Sequence, residues 1–289
     1  MIKTIKYFFQ SLVVYLFFII IKLFGLKLSR NFFSYLFNKI GPLIKSDQII
    51  EENLSRFIGS YNEDKKKSIK VEMWSNYGKT FVEYLFLKKF RKNNSHIVIK
   101  GEDILQKIIK KNKPVIYVSG HFANFELMSM ELTKRNIKLA AIYRPLNNFF
   151  LNPFMEYVRE TQVCKNQIKK GLAGVKKVIN YLQNNFSIAL MIDQRVSEGK
   201  RLPFFGQMAL TTTLPAQLAT KYKLDIVPIY IARNTSDDFE IEIYEPIKVS
   251  NEEDAETNKL SLTIKLNKII EQMISKNPGQ WIWTHNRWK

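Results

Sequence analysis

His121 and Glu126 stand five residues apart in "SGHFANFELMSMEL", where an apolar run gives way to helical spacing. An imidazole just beyond a strand and beside a helix N-terminus sits among unpaired backbone N–H groups, which stabilise developing negative charge. A carboxylate one helical turn inward can reach the ring, fix its tautomer and raise its basicity. The pair is then a general base with an orienting acid, and the nucleophile it lacks can be a hydroxyl of the substrate. The plainer alternative is a histidine bonded to a nearby carbonyl and a glutamate turned to solvent, because His and Glu fall at this spacing by chance.

The elements that must position this pair are legible from residue 96 onward. Strands are expected in "HIVIK" (96–100), "KPVIYVSG" (113–120), "IKLAAIYR" (137–144), near 163 and in "SIALMID" (187–193). Helices are expected between them at 101–112, 123–135, 148–161 and 174–184. Alternation of this kind predicts an α/β fold with a largely parallel central sheet flanked by helices. Ligands of such sheets bind beyond the carboxyl ends of the strands. His121, Arg144 and Asp193 each follow a strand end, so one rim can hold all three. Arg144 also reads as a surface residue, Asp193 as a turn cap and Arg159 as part of a solvated helix face.

Further along come a polar loop, "LPFFGQ" (202–207), and a helix opening at Leu214 and Pro215 behind a capping threonine. "LDIVPIYIAR" (224–233) and "FEIEIYEPI" (239–247) read as strands, the second alternating as a half-exposed or edge strand does. A last amphipathic helix is expected over 255–276. The tail "QWIWTHNRWK" holds three of the four tryptophans, suited to core packing or to an interfacial belt, and a histidine, His285, with a packing or hydrogen-bonding role.

The N-terminal part differs in kind. "YFFQSLVVYLFFIII" (7–21) carries no charge, and with Lys22 snorkelling the apolar stretch reaches about 20 residues, close to a bilayer's hydrocarbon span. No small-residue cleavage site follows, so it reads as an uncleaved anchor that spans or lies in the interface. Residues 28–60 are helical in spacing until Gly41 and Pro42 break the pattern. "NEDKKKSIK" reads as a solvated connection or helix start, and the amphipathic helix 71–90 runs into the basic cluster Lys88, Lys89, Arg91 and Lys92.

Lys and Arg exceed Asp and Glu by 45 to 26, giving a formal charge of +19 that attracts anions. A nucleic-acid binder shares that charge but predicts neither a hydrophobic anchor nor a His–Glu pair after a strand. One cysteine, Cys164, excludes an intramolecular disulfide framework and leaves too few thiolates for a structural zinc site; it reads as buried filler.

Five ordered blocks carry a resemblance. "GHFANFE" resembles the H-x4-E block of the bacterial lipid A late acyltransferases, members of the wider lysophospholipid acyltransferase superfamily. "IYRPLNN" (142–148), "MIDQR" (191–195), "LPFFGQMALTTTLPAQLA" (202–219) and "QWIWTHNRWK" (280–289) resemble the blocks that follow in the same order. The resemblance implies transfer of a fatty acyl chain from acyl carrier protein or acyl-CoA to a hydroxyl of a lipid A precursor or related glycolipid, at the cytoplasmic face of the bacterial inner membrane. It implies no metal, no cofactor and no nucleic-acid partner.

By the same resemblance His121 is the general base and Glu126 its partner. Asn124, Arg144, Arg159, Asp193 and Gln194 are expected to bind substrate. Ala123 and Phe125 depart from the family's usual Gly and Trp. The neighbouring alternatives are acylation of a glycerophospholipid or another glycolipid, and a membrane scaffold without turnover. The implied organisation is an anchor over 1–30, a helical part over 31–95 and a glycerolipid acyltransferase-like α/β core over 96–289.

Overall fold

A computed structural model describes residues 2–59, 62–249 and 254–289. Four helices come first: α1 (Ile2–Ile44), α2 (Asp47–Ile58), α3 (Glu63–Glu83) and, after a 3-10 turn at Tyr84–Phe86, α4 (Leu87–Lys92). The alternating part follows as β1 (Ile97–Lys100), α5 (Glu102–Lys111), β2 (Ile116–Ser119), α6 (Glu126–Lys134), β3 (Leu139–Tyr143), α7 (Asn152–Val158), β4 (Asn166–Lys169), α8 (Leu172–Gln183) and β5 (Ser187–Met191). Then come β6 (Lys200–Phe204), β7 (Gln207–Thr211), α9 (Leu214–Tyr222), β8 (Ile226–Arg233), β9 (Phe239–Ile243) and α10 (Ala255–Lys276).

Seven strands form one sheet in the order β1-β9-β8-β2-β5-β3-β4. The block β8-β2-β5-β3-β4 is parallel throughout, whereas β9 runs antiparallel to β8 and carries β1 parallel to itself. Strand β2 is buried along its whole length because its side chains serve two cores. Ile116 and Val118 point into one with Ile188, Leu190 and Ile226, while Tyr117 points into the other with Leu127, Ala189 and Val227. A strand with water on neither side is largely apolar, as "IYV" is before Ser119 ends it.

Register makes the site. Ser119 pairs with Met191, and the Ile192 N–H extends the ladder by donating to the Ser119 carbonyl at 2.9 Å. His121 and Asp193 each lie two residues beyond that pair, on adjacent strand ends. Gly120 permits the approach: a Cβ there would lie 2.7 Å from the Phe122 ring and 3.3 Å from Asp193 Cβ.

Several expectations need correction. The N-terminal helical run breaks at Gly25, which has φ 74° and ψ 178°, and passes through Gly41 and Pro42 to Ile44. Pro42 has no N–H to give the Asn38 carbonyl, and the helix ends two residues later. The short strand is β4, at 166–169, because α7 continues instead through a π-turn at Arg159–Val163. The polar loop and "LPFFGQ" contain an antiparallel ribbon, β6 with β7, that the alternation did not announce. β9 has the expected half-exposed alternation but lies inside the sheet, between β8 and β1. In the triple-lysine run Lys66 is buried against Glu63, and in the later basic cluster Arg91 turns inward to Thr133 and the Gln162 carbonyl.

Candidate active site

At the carboxyl rim of β2, His121 Nδ1 lies 2.8 Å from Asp193 Oδ1, and the His121 backbone N–H donates to Oδ2 at 2.9 Å. The Trp281 indole N–H donates to the same Oδ2 at 2.8 Å. Burial pushes the Asp193 carboxyl up, but the charge of a protonated His121 and these hydrogen bonds outweigh it and hold the group down to about 2. A carboxylate on Nδ1 puts the proton on that nitrogen and leaves the Nε2 lone pair free to accept one. The Phe125 ring meets the imidazole edge-on at 4.6 Å, so the ring is held on a second side.

This overturns the expected pairing. Asp193 orients His121. Glu126 accepts from Arg159 Nε at 2.8 Å and from the Tyr84 hydroxyl at 2.7 Å, all buried or nearly so. The reason is local: α6 opens only at Glu126, and residues 122–125 are not helical, so the one-turn geometry assumed between His121 and Glu126 does not exist. Arg159 is correspondingly no solvated face. Burial disfavours its charge, but Glu126 and Tyr84 more than compensate and raise its pKa.

The backbone bends at Ala123, whose φ is +43°, a left-handed value that favours glycine. Two bonds fix it there: its N–H donates to the Gln280 carbonyl at 3.0 Å, and its carbonyl accepts from Thr80 Oγ1 at 3.1 Å. Ala123→Gly is therefore expected to raise the unfolding free energy by about 0.5–1 kcal/mol at unchanged turnover. A denaturant midpoint that falls instead would show that the methyl packing outweighs the backbone strain.

A cleft of about 190 Å³ opens in front of the imidazole. Its floor is apolar, with Met128, Ala141, Val163, Ala189 and Leu190, and its rim carries Arg144, Lys170, Gln194 and Arg195. Glu126 and Arg159 line it as well. Arg195 Nε is buried with no hydrogen-bond acceptor among the described residues, as suits a cation awaiting an anion.

Of the residues expected at the site, His121, Glu126, Arg144, Arg159 and Gln194 line this cleft, and Asp193 stands behind His121. Asn124 does not belong to it. It is fully buried and donates to Glu83 Oε2 at 2.9 Å, within a network that also holds Arg30 and Arg233. Sequence reasoning missed Tyr84, Lys170 and the part played by Trp281; the rim position of Asp193 was the one available signal for its partnership.

The C-terminal segment straps the site from outside the sheet. His285 Nε2 accepts from the Arg195 N–H at 2.9 Å, and burial lowers the His285 pKa to about 4, which keeps it a neutral acceptor. Asn53 Nδ2 donates to the carbonyls of Trp283 and His285, and Arg287 Nη2 donates to Thr211 Oγ1 at 2.8 Å. His285 thus has the hydrogen-bonding role expected of it, and the three tail tryptophans are buried in the core.

The family described as "Bacterial lipid A biosynthesis acyltransferase" matches residues 2–289. A similar protein is the lipid A biosynthesis palmitoleoyltransferase of Escherichia coli (strain K12), 23% identical over 262 residues that cover 86% of this chain and 80% of that one. Another is lipid A biosynthesis acyltransferase 2 of Shigella flexneri, 22% identical over 201 residues covering 68% of this chain and 61% of that one. With an α/β sheet, five ordered motif blocks and a family match along nearly the whole chain, this protein belongs to the bacterial lipid A biosynthesis acyltransferases and is an acyltransferase.

Proposed function

We propose that the protein moves a fatty acyl chain from a thioester, carried by acyl carrier protein or coenzyme A, to a hydroxyl of a lipid A precursor. The observation that carries this reading is an imidazole fixed by a buried carboxylate at the mouth of a cleft with an apolar floor and a cationic rim. His121 Nε2 takes the proton as the acceptor oxygen attacks the thioester carbonyl. The tetrahedral intermediate collapses, the C–S bond breaks, and the departing thiolate recovers the proton from the imidazolium. No covalent acyl-enzyme is needed, because a thiolate leaves readily.

The floor suits the acyl chain and the rim suits phosphate, whether of the acceptor or of the donor's pantetheine arm. Glu126 serves by holding Arg159 at the cleft wall. Helix α1 is long and apolar enough to cross a membrane, and little of its apolar stretch is buried, so it is unlike the core helix of a soluble protein. We assign residues 1–30 as the anchor, 31–95 as the helical N-terminal part of the catalytic domain and 96–289 as its α/β core, working at the cytoplasmic face of the inner membrane.

The test is transfer by the purified chain from a panel of acyl-carrier-protein and coenzyme A thioesters to a lipid A precursor, read as thiol release together with an acylated lipid product. Thiol release only when the sugar-phosphate lipid is present is expected. Equal release with and without any lipid acceptor, and no acylated product, would overturn the proposal.

A further inference from the structure

The part of α1 before Gly25 has two unlike faces. Ile5, Phe9, Leu12, Leu16, Ile19 and Leu23 recur at intervals of three and four and are all exposed. The opposite face is docked on the domain from one end to the other. Near the start, the Tyr7 carbonyl accepts from Asn148 Nδ2 at 2.9 Å, and the Tyr15 hydroxyl donates to the Phe150 carbonyl at 3.0 Å. Midway, the Phe18 ring lies 5.0 Å from Phe154 and 5.6 Å from Phe81. At the far end Lys22 Nζ donates to the Leu85 carbonyl at 2.6 Å and stands over the Phe86 ring at 4.8 Å.

These contacts run from residue 7 to residue 22, about 22 Å of helix at 1.5 Å per residue. A helix crossing the bilayer departs from a water-facing domain along its axis, and this one would forfeit all of them. The segments it touches, 148–154 and 81–86, belong to the same domain as the cleft, so both ends of the helix stand at that domain's level. Lys22, Lys88, Lys89 and Lys92 gather with Leu85 and Phe86 around one surface depression beside the helix, a cationic border next to an apolar stripe.

We propose that this helix does not cross the membrane but lies flat against an anionic lipid surface, its outward stripe sunk among the upper acyl segments and its lysines among the headgroups. The inference rests on the membrane association proposed above. It also places the cleft. Asn148, which holds the Tyr7 carbonyl, lies on the 144–151 loop that also carries the rim residue Arg144, and Leu146 and Phe149 on that loop are exposed, so the cleft mouth borders the lipid plane. An acceptor whose sugar sits at headgroup level then reaches His121 without leaving the bilayer.

Nitroxide labels on full-length Ile5→Cys, Leu12→Cys and Ile19→Cys variants, bound to vesicles containing anionic phospholipid, report depth by oxygen accessibility. The native Cys164 is buried, and burial pushes its thiol up to about 11, so it stays unlabelled in the folded protein. All three labels are expected at one shallow depth, about 5–10 Å below the headgroup boundary. A label at residue 12 near the bilayer centre, about 15 Å deep, with residues 5 and 19 shallower, would show a spanning helix and overturn the proposal.

Binding to wholly zwitterionic vesicles is expected to be at least about tenfold weaker, and equal binding would remove the role of the lysines. Labels that meet only water would overturn the membrane association itself. Acyl transfer on the same vesicles reports the catalytic reading separately: shallow depths without transfer would leave the helix placed and remove the chemistry.

Discussion

Asp193→Asn is expected to lower kcat for acyl transfer by about 10²- to 10⁴-fold with KM little changed. Asp193 accepts three hydrogen bonds, from His121 Nδ1, the His121 backbone and Trp281. A carboxamide has one acceptor oxygen. If it faces the backbone and indole donors, its NH₂ meets Nδ1, the ring proton moves to Nε2, and the base is lost; if it is reversed, two buried donors lose their acceptor. His121→Ala should cost a similar factor, and the double variant should cost little more, because both changes remove one unit.

Glu126→Gln is the informative contrast. It leaves the His121–Asp193 bond intact and slackens Arg159, so its effect should fall mainly on KM for the anionic substrate. Steady-state kinetics of the four variants decides the matter. Near-normal kcat in Asp193→Asn with a collapse in Glu126→Gln would restore Glu126 as the acid partner and reject the arrangement described here.

The largest loss of stability is expected at Glu83, which does not line the cleft. Its carboxylate is fully buried, accepts from Arg30 Nε at 2.8 Å and from Asn124 Nδ2 at 2.9 Å, and takes both terminal nitrogens of Arg233. Arg30 comes from α1, Arg233 from the end of β8 and Asn124 from the turn after His121, so one side chain ties the N-terminal helices to the sheet and to that turn.

Glu83→Ala strands two guanidinium groups without their counter-charge. Removing one partner of a buried ion pair typically costs about 3–5 kcal/mol. Set against the usual total of about 5–15 kcal/mol, that is a large share of the fold. Chemical denaturation should show it as a lower midpoint at nearly constant slope. A loss below about 1 kcal/mol would mean that the arginines find water or other acceptors.

The strands and helices of the catalytic part were readable because their apolar periods are uninterrupted: "VIYV" has no polar position to misplace, and α10 occupies the 255–276 expected of it. The partnership of His121 was not readable. Asp193 lies 72 residues away, and β2 meets β5 only because the chain crosses over through β3 and β4, a pairing that no local period encodes.

Glu126 looked like the partner because it was near in sequence. A single left-handed residue, Ala123, delays the helix and turns that carboxylate toward Arg159. The kink at Gly25 was hidden for a different reason. Apolar residues continue on both sides of it, so hydropathy alone could not show that the helix changes direction there. Asn124 was carried along with its motif, and its burial in a charge network depends on Glu83 and Arg233, neither of them near it in the chain.

The strap formed by residues 280–288 makes the site sensitive to changes outside the cleft. Trp281 secures Asp193 and His285 the turn at Arg195, while Asn53 on α2 holds the carbonyls of Trp283 and His285. A change at Asn53 would therefore reach the carboxylate behind His121 through the strap alone, with the sheet and the cleft floor left as they are.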